Sequence, residues 1–336
     1  MDLSTWQSQR ARDPRRLVLG STQWGLVHGL DNRTGPPDAV ELEAMLGRAR
    51  DAGIRSIDTA RAYGDSETRI GQTLRAVPSS EGWRLLTKLA SDVHEKGLGI
   101  GETLERVATS LSESRLALGQ DTLPVVLLQR FAHRHACGGK LWRTLLAERD
   151  SGRIGALGVS AGSPEEAWAA LDDPDIEVLQ VAASLLDLRL HRQGFFPRAR
   201  ELGRTVYVHS VFLRGAAHLA PEALPEFLSD LIAPIRQIRA AASRLDTTPQ
   251  ALCLAFAREY LPGVHPIVGC ETAAQLDEIL SDWASDRIDV AKLAPLVDSL
   301  ATQPAHLVDP EMWPGREDPN DAMRNQTGRA SIYSGK

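Results

Sequence analysis

The sequence IDTARAYGDSETRIG (residues 57–71) contains one strand-turn-helix unit. A short apolar strand is predicted to end at Asp58, and a helix is predicted to begin near Ser66, after a turn that carries Tyr63. The same order of a short apolar run and an amphipathic segment recurs along the chain, as expected for strands of a parallel sheet that alternate with helices. This strand-turn-helix unit therefore indicates where strands and helices are expected in the rest of the sequence.

Eight short apolar runs fit such a strand, and amphipathic segments lie between them. The predicted strands are residues 17–19, 56–58, 84–87, 124–128, 156–159, 178–181, 206–209 and 266–268. The predicted helices include residues 39–52, 101–118, 165–171, 198–202, 234–244, 250–260 and 273–279. Several of the helices lead into glycines that can take the left-handed conformation, namely Gly53, Gly152 and Gly203. The pattern predicts an α/β fold, a (β/α)8 TIM barrel, rather than an open sheet, since no GxGxxG follows the first strand.

The chain has 336 residues, of which 43% are hydrophobic and 24% charged, with a formal net charge of -6. A barrel needs roughly 250 residues, so one domain with extensions accounts for this length. We predict a polar lead-in over residues 1–15, a barrel over 16–307 and a polar C-terminal tail over 308–336.

Composition excludes several classes of function. The chain has no long Lys/Arg run, which argues against a nucleic-acid partner, and no apolar run near the roughly 20 residues that span a bilayer. Its N-terminus has no apolar signal core, so we expect a cytoplasmic protein. We also expect a monomer or small homo-oligomer. Cys137, Cys253 and Cys270 are far apart and form no CxxC, so we expect neither a disulfide framework nor a bound metal.

Three polar residues fall at or just after the carboxyl ends of consecutive strands, where parallel barrels place their working residues. Asp58 ends the second strand, Tyr63 follows in its loop, and Lys88 comes directly after the third strand. An aspartate can hold a lysine charged, and the ammonium can lower the pKa of a neighbouring phenol so that it transfers protons near neutral pH. Taken singly, each residue is equally compatible with a solvated loop, and Asp58 with a helix cap.

With these residues in place, the chain resembles the aldo-keto reductase superfamily over roughly residues 16–285. The resemblance is carried by IDTARAYGDSETRIG (57–71) and by LLTKL (85–89), which resembles the catalytic-lysine strand. Further similar segments, in consistent order, are LVLGSTQWG (17–25), IGALGVSAG (154–162), VLQVAASLLD (178–187), HSVFLRG (209–215) and PIVGCETAAQLDEIL (266–280). The bacterial members that it most resembles are often encoded among sugar and secondary-metabolite enzymes.

The resemblance implies that a nicotinamide cofactor, NADPH or NADH, lies across the barrel mouth. Tyr63 would act as the general acid, tuned by Asp58 and Lys88. The residues implied to contact the cofactor are Trp24 in the first loop, which we also expect to form a wall of the substrate pocket, Ser160 and Gln180 at the carboxamide, His209 stacked on the nicotinamide, Ser210, Leu213 and Gly215 along the pyrophosphate, and Gly269, Glu271, Gln275 and Glu278 around the adenosine ribose.

The sequence departs from the family pattern at three places. Gln129 stands where the fourth catalytic residue, a histidine, is expected, and its amide can donate a hydrogen bond but cannot ionise. Ala161 replaces the usual asparagine after the serine of GVS. The cations that commonly hold the 2′-phosphate of NADP are absent: Gly269 and Gln275 occupy those places, beside Glu271. NADPH is the habit of the family, but these residues favour NADH.

Three functional hypotheses remain open at this point. The first is an NAD(P)H-dependent oxidoreductase that reduces the carbonyl of an aldehyde or ketone, such as a sugar. The others, prompted by Gln129, are a cofactor-binding accessory protein and a redox-neutral isomerase or epimerase. The loop QRFAHRHACGGK (129–140) carries five basic residues that would attract an anionic substrate if they face the mouth. We also consider whether His133 or His135 takes the place of the missing histidine.

Overall fold

Eight parallel strands close into one barrel in sequence order in the computed structural model, which describes residues 12–30, 32, 35–76 and 82–314. The strands are β1 (Val18–Gly20), β2 (Ser56–Asp58), β3 (Arg84–Lys88), β4 (Leu123–Leu128), β5 (Ile154–Ser160), β6 (Val178–Ala182), β7 (Thr205–His209) and β8 (His265–Gly269). Each strand pairs with the next, and β8 pairs with β1 through Leu19 and Val268. The predicted (β/α)8 barrel is confirmed, with strand ends within two residues of those expected.

Helices follow the strands around the outside of the barrel. The helices are Thr22–Gly25, Ala39–Ala52, Ser66–Ala76, Ile100–Leu118, Ala136–Asp150, Pro164–Asp172, Arg189–Arg192, Phe195–Glu201, Ile232–Arg244, Pro249–Glu259, Ala273–Ala284, Val290–Ser299 and Ala305–Val308. Short 3-10 turns cover Pro14–Arg16, Phe131–His135, Pro221–Ala223, Glu226–Leu231 and Pro310–Met312. Side-chain caps begin several helices: Asp38 accepts from the Glu41 N–H, and Thr272 from the Gln275 N–H. Gly53, Gly152 and Gly203 have positive φ, as predicted for glycines at the ends of helices.

The barrel interior is filled by alternate residues of the strands, and this alternation positions the site. The interior cluster consists of Val18, Leu86, Val125, Leu127, Val178, Tyr207 and Ile267. Because side chains in a strand alternate between faces, residues two positions nearer the carboxyl end point to the same interior, at the mouth. These residues are Gly20, Lys88, Gln129, Gln180, His209 and Gly269, and all of them line the cleft there.

The C-terminal part of the chain packs against the barrel further than its composition predicts. The tail was expected to begin at residue 308, but Val308, Pro310 and Trp313 are buried. The Trp313 ring lies 5.7 Å from that of Phe227, between ring centroids, so these apolar side chains hold an otherwise polar stretch. The rest of the predicted tail, residues 315–336, and most of the predicted lead-in, residues 1–11, lie outside the described residues. No helix within the described ranges has the length and apolar character needed to cross a membrane.

Candidate active site

A buried charged cluster occupies the mouth at the ends of β2 and β3. The Lys88 Nζ donates to both carboxylate oxygens of Asp58, each at 2.8 Å, and to the Thr59 carbonyl at 3.1 Å. The same nitrogen lies 3.3 Å from the Tyr63 Oη. Burial alone would lower the pKa of Lys88, but Asp58 and Tyr63 outweigh it and raise the pKa above its ordinary value. Lys88 is therefore charged at neutral pH, and Asp58 is its counter-ion rather than a helix cap.

A second buried carboxylate, that of Glu67, fixes the turn that carries Tyr63. Glu67, only 2% exposed, accepts a hydrogen bond from the Thr87 hydroxyl at 2.6 Å and pairs with Arg61 at 2.5 Å. Arg61 also pairs with Glu113 and is not among the residues that line the cleft. Gly64 has φ +59, and a Cβ on it would lie 2.4 Å from the Gly25 carbonyl oxygen. The turn that carries Tyr63 is thus held by the ion pair of Arg61 with Glu67 and by the close packing of Gly64 against Gly25.

Gln129 lines the cleft just beyond β4, as predicted, and its Oε1 is buried without a hydrogen-bond partner in the described part of the chain. His133 does not take the place of the missing histidine. It is buried beside His94, outside the lining of the cleft, and burial, together with the charge of Arg130, lowers the pKa of its ring to about 4. His135 is exposed beside Phe131 and is also absent from the lining.

The basic loop after β4 does not present a positive surface to the mouth. Arg134 pairs with Asp173 at 2.8 Å and with Asp175 at 3.2 Å, and its guanidinium lies 5.0 Å from the centre of the Trp142 ring. None of the loop's basic side chains is among the residues that line the cleft. The basic side chains of this loop therefore do not face the mouth, and the expectation that they attract an anionic substrate there is wrong.

Gln180, Ser160 and His209 meet at the centre of the mouth. The Gln180 Nε2 donates to Asp58 Oδ1 at 2.7 Å, and the Ser160 hydroxyl lies 3.5 Å from the Gln180 Oε1. The His209 Nδ1 lies 2.9 Å from the Ser210 hydroxyl. Burial, with the nearby charges of Lys88 and Arg214, lowers the pKa of His209 to about 4, so its ring is neutral at pH 7. A neutral planar ring here suits stacking on another flat ring.

The loop after β7 has an unusual run of left-handed backbone. Ser210, Leu213, Arg214 and Gly215 have φ values of 59°, 46°, 52° and 89°. Within this turn the N–H groups of Leu213 and Gly215 donate to the carbonyls of Ser210 and Phe212. Ser210, Arg214 and Gly215 line the cleft, whereas the Leu213 side chain is fully buried and packs into the core. The predicted contact of Leu213 with the cofactor is thus not one that its side chain makes.

The far end of the cleft, beside β8, is lined by Gly269, Glu271, Gln275 and Glu278, as predicted. A Cβ on Gly269 would lie 2.5 Å from the amide atoms of Gln23, so a larger residue there would require the Gln23 side chain to move. The Glu41 carboxylate accepts from the Ala273 N–H at 2.5 Å, at the start of the helix Ala273–Ala284. Among the described residues, Lys88, Arg189 and Arg214 are the Lys and Arg side chains that line the cleft, and none belongs to this end.

Trp24 lies beneath the cleft and not in its wall. Its side chain is fully buried, and its Nε1 donates to the Cys270 carbonyl at 3.0 Å, which fixes the end of β8. Gln23, Leu26, Val27 and His28 of the same loop line the cleft instead. The expectation that Trp24 forms a wall of the pocket and contacts the cofactor is therefore corrected, since an indole with its N–H already bonded to backbone serves as a packing residue.

Other residues that line the cleft were not predicted from the sequence. Arg189 faces the mouth beyond β6 and is held by both carboxylate oxygens of Asp187, each at 2.8 Å. Asp309 and Glu311 reach the mouth from the C-terminal segment. The spacing of Asp187 and Arg189 was available in the sequence, but nothing local indicates that residues so far along the chain as Asp309 return to the barrel mouth.

The cleft as a whole has a volume of about 580 Å³, within the range of roughly 300–1,000 Å³ typical of cofactor sites. It runs from Tyr63 and Gln129, past His209 and the left-handed loop, to Glu278. Its charged proton-transfer group, its neutral planar ring, the Arg214 cation of the loop after β7 and its carboxylates fit the successive parts of a nicotinamide dinucleotide. Together they define an oxidoreductase site on a (β/α)8 barrel.

Comparison with known proteins agrees with this class. The sequence profile of the Aldo/keto reductase family matches residues 16–296, and the chain belongs to that family. It is 25% identical over 283 residues to 6-dehydroglucose reductase of Novosphingobium aromaticivorans, covering 78% of this chain and 86% of that protein. It is an oxidoreductase enzyme, of a family that acts on small-molecule carbonyl substrates.

Two solved structures share the fold. An aldo-keto reductase from Bacillus halodurans in its holo form superposes with a TM-score of 0.65 at 17% identity, covering 87% of this chain and 95% of that one. A Pseudomonas aeruginosa protein described as an aldo-keto reductase gives a TM-score of 0.59 at 23% identity, covering 80% of this chain and 89% of that one. At such identities the likeness concerns the fold alone.

Proposed function

We propose that this enzyme reduces the carbonyl group of a neutral sugar or sugar-like aldehyde, with Tyr63 as the proton donor and NADH as the preferred cofactor. One observation carries the proposal: the charged Lys88 Nζ lies 3.3 Å from the Tyr63 Oη while Asp58 holds it from the other side. The bound nicotinamide would supply the hydride. The phenol would deliver a proton to the carbonyl oxygen, because the adjacent ammonium stabilises the phenolate that remains.

Several other residues that line the cleft have a defined task in this proposal. Gln180 and Ser160 would hold the carboxamide, His209 would stack on the nicotinamide, and Gly215, Ser210 and Arg214 would face the pyrophosphate. Gln129 would direct the substrate carbonyl toward Tyr63. Gln180 also donates to Asp58, so the group proposed to hold the cofactor is bonded to the charged cluster that tunes Tyr63.

A sugar-like substrate is supported by the polar character of the mouth and by the relative that is named 6-dehydroglucose reductase. Gln129, Arg189, Asp309 and Glu311 all line the cleft. The Arg189 guanidinium already bonds both oxygens of Asp187, so it offers little net positive charge to an anion. We therefore propose a neutral polyhydroxylated substrate.

The preference for NADH rests on the carboxylates beside β8. Glu271 and Glu278 line that end of the cleft, and Glu41 occupies the N-terminus of the adjoining helix. A carboxylate can accept hydrogen bonds from the ribose hydroxyls of NADH and repels the 2′-phosphate of NADPH. Since that end of the cleft carries no lysine or arginine, nothing among the described residues there would compensate the phosphate charge.

The test is fluorescence titration of the protein with NADH and NADPH, followed by turnover with a panel of sugar aldehydes. We expect tighter binding of NADH, and we expect the double variant Glu271→Lys/Glu278→Lys to move the ratio of the two dissociation constants toward NADPH by about tenfold or more. Asp277→Lys is the matched control, because Asp277 lies on the same helix but pairs with Arg48 outside the cleft. Binding without turnover would favour the accessory or redox-neutral hypothesis, and no binding would overturn the proposal.

A further inference from the structure

The Oε1 of Gln129, a residue that lines the mouth, is a buried polar atom without a hydrogen-bond partner in the described protein. A buried carbonyl oxygen without a donor costs free energy, so such an atom in a binding cleft indicates a group that a ligand supplies. The other polar atoms around the reacting centre are engaged: Asp58, Gln180, Tyr63 and Lys88 bond to one another.

Strand register brings this residue to the same mouth as the proton donor. Leu127 of β4 pairs with Lys88 of β3, and Gln129 lies two residues further along the same interior face. Gln129, Tyr63 and Lys88 all line the cleft. The Gln129 Nε2 can donate to a substrate carbonyl oxygen there.

A primary amide presents its donor and its acceptor side by side. If the Nε2 donates to the substrate carbonyl, the Oε1 must accept from a donor attached close to that carbonyl. The closest carbon that can bear such a donor is the neighbouring one. A hydroxyl on that carbon completes a two-point contact of the kind that glutamine makes with paired donor and acceptor groups elsewhere.

We propose that Gln129 is a specificity-determining residue that selects α-hydroxy aldehydes, using its Nε2 for the carbonyl oxygen and its Oε1 for the adjacent hydroxyl. The inference rests on the proposed reduction of a carbonyl at Tyr63. It also gives the replacement of the family's histidine a chemical meaning, since an imidazole turns only one of its two ring nitrogens toward a substrate while the amide offers two groups at once.

The test compares three aldehydes of similar size: 2-hydroxypropanal, 2-methylpropanal and 3-hydroxypropanal. The second replaces the α-hydroxyl by a methyl group, and the third moves the hydroxyl one carbon further away. Because an α-hydroxyl also changes the intrinsic reactivity of an aldehyde, the quantity measured is the ratio of kcat/KM values between substrates and its change between wild type and variants.

We expect Gln129→Met to lower the preference for 2-hydroxypropanal over both other aldehydes by about 3- to 10-fold. Gln129→His offers a donor without the paired acceptor, so we expect it to lose the same preference as Gln129→Met. Each ratio compares two substrates on one variant, so a general loss of activity cancels from it. If both variants keep the wild-type ratios, the role of Gln129 is overturned while the reductase assignment stands. If the wild type reduces no aldehyde in the presence of NADH or NADPH, both proposals fall.

Discussion

The two sides of the barrel mouth differ in how completely the protein satisfies its own polar groups. On the charged side, formed by Asp58, Tyr63 and Lys88, the Lys88 ammonium has three oxygen partners within 3.1 Å and the phenol at 3.3 Å. On the amide side, formed by Gln129 beyond β4, the side-chain oxygen is buried without a partner in the described structure. The charged side is complete before any ligand binds, whereas the amide side needs the ligand.

This difference separates two requirements of catalysis. Groups that must hold a fixed charge are best organised in advance, because a low-dielectric site makes preorganised charges effective and misplaced ones costly. Groups that choose among substrates are best left to be completed by the right one, since a wrong substrate then leaves a buried polar group unpaired. The proton-transfer chemistry thus belongs to the charged side, and selection to the amide side.

The largest expected effect comes from removing the proton donor of the charged side. Tyr63→Phe should lower kcat by about 100- to 10,000-fold, which is the usual contribution of a general acid. NADH affinity should be unchanged, because the Lys88–Asp58 pair and Gln180 remain. Tyr260→Phe, which removes a hydroxyl bonded to the Val290 carbonyl on another part of the chain, is the control and should keep full activity. Activity that survives in Tyr63→Phe would show that another group donates the proton.

A smaller effect should follow from weakening the support beneath the charged side. Arg61 bridges a buried carboxylate, Glu67, and an exposed one, Glu113, whose side chain is 53% exposed. Glu67→Gln should reduce the free energy of unfolding by about 2–3 kcal/mol, because it breaks a buried pair. Glu113→Gln, which breaks the exposed pair of the same arginine, should cost at most about 1 kcal/mol. Urea unfolding of both variants measures the difference, and equal losses would show that the buried pair has no special role.

Much of this site could be predicted because a parallel barrel converts sequence period into position. Once the strand ends are known, Asp58, Lys88, Gln129, Gln180 and His209 must point into the mouth. The misplaced residues lie in loops, where no period applies. Trp24 was expected in the pocket wall because it is large and close to β1, yet its N–H bonds to the Cys270 carbonyl beneath the cleft.

The basic loop after β4 and the C-terminal segment show the same limit. Charge composition left open whether the basic loop faces the mouth, and the partners of Arg134 are Asp173 and Asp175, which lie about 40 residues further along the chain. The polar stretch after residue 308 resembles a tail, yet Val308 and Trp313 anchor it so that Asp309 reaches the cleft. Contacts between such distant residues depend on the finished fold, which local sequence does not encode.

The smallest expected effect concerns a buried histidine in the loop after β4, outside the cleft. His133, close to Gln129 in the chain, has a pKa lowered to about 4 by burial and by Arg130, from an ordinary value of 6.5. Between those two pH values the unfolded chain binds a proton at this residue that the folded protein does not, so the free energy of unfolding falls as the pH falls. From pH 7 to pH 5 this residue should contribute a loss of roughly 2 kcal/mol. Urea unfolding at the two pH values measures it.

His133→Gln should remove that part of the pH dependence, because an amide does not titrate. His135→Gln is the matched control, because it makes the same substitution at an exposed side chain of the same loop. If His133→Gln retains the full loss between pH 7 and pH 5, His133 is protonated about as easily in the folded protein as in the unfolded one.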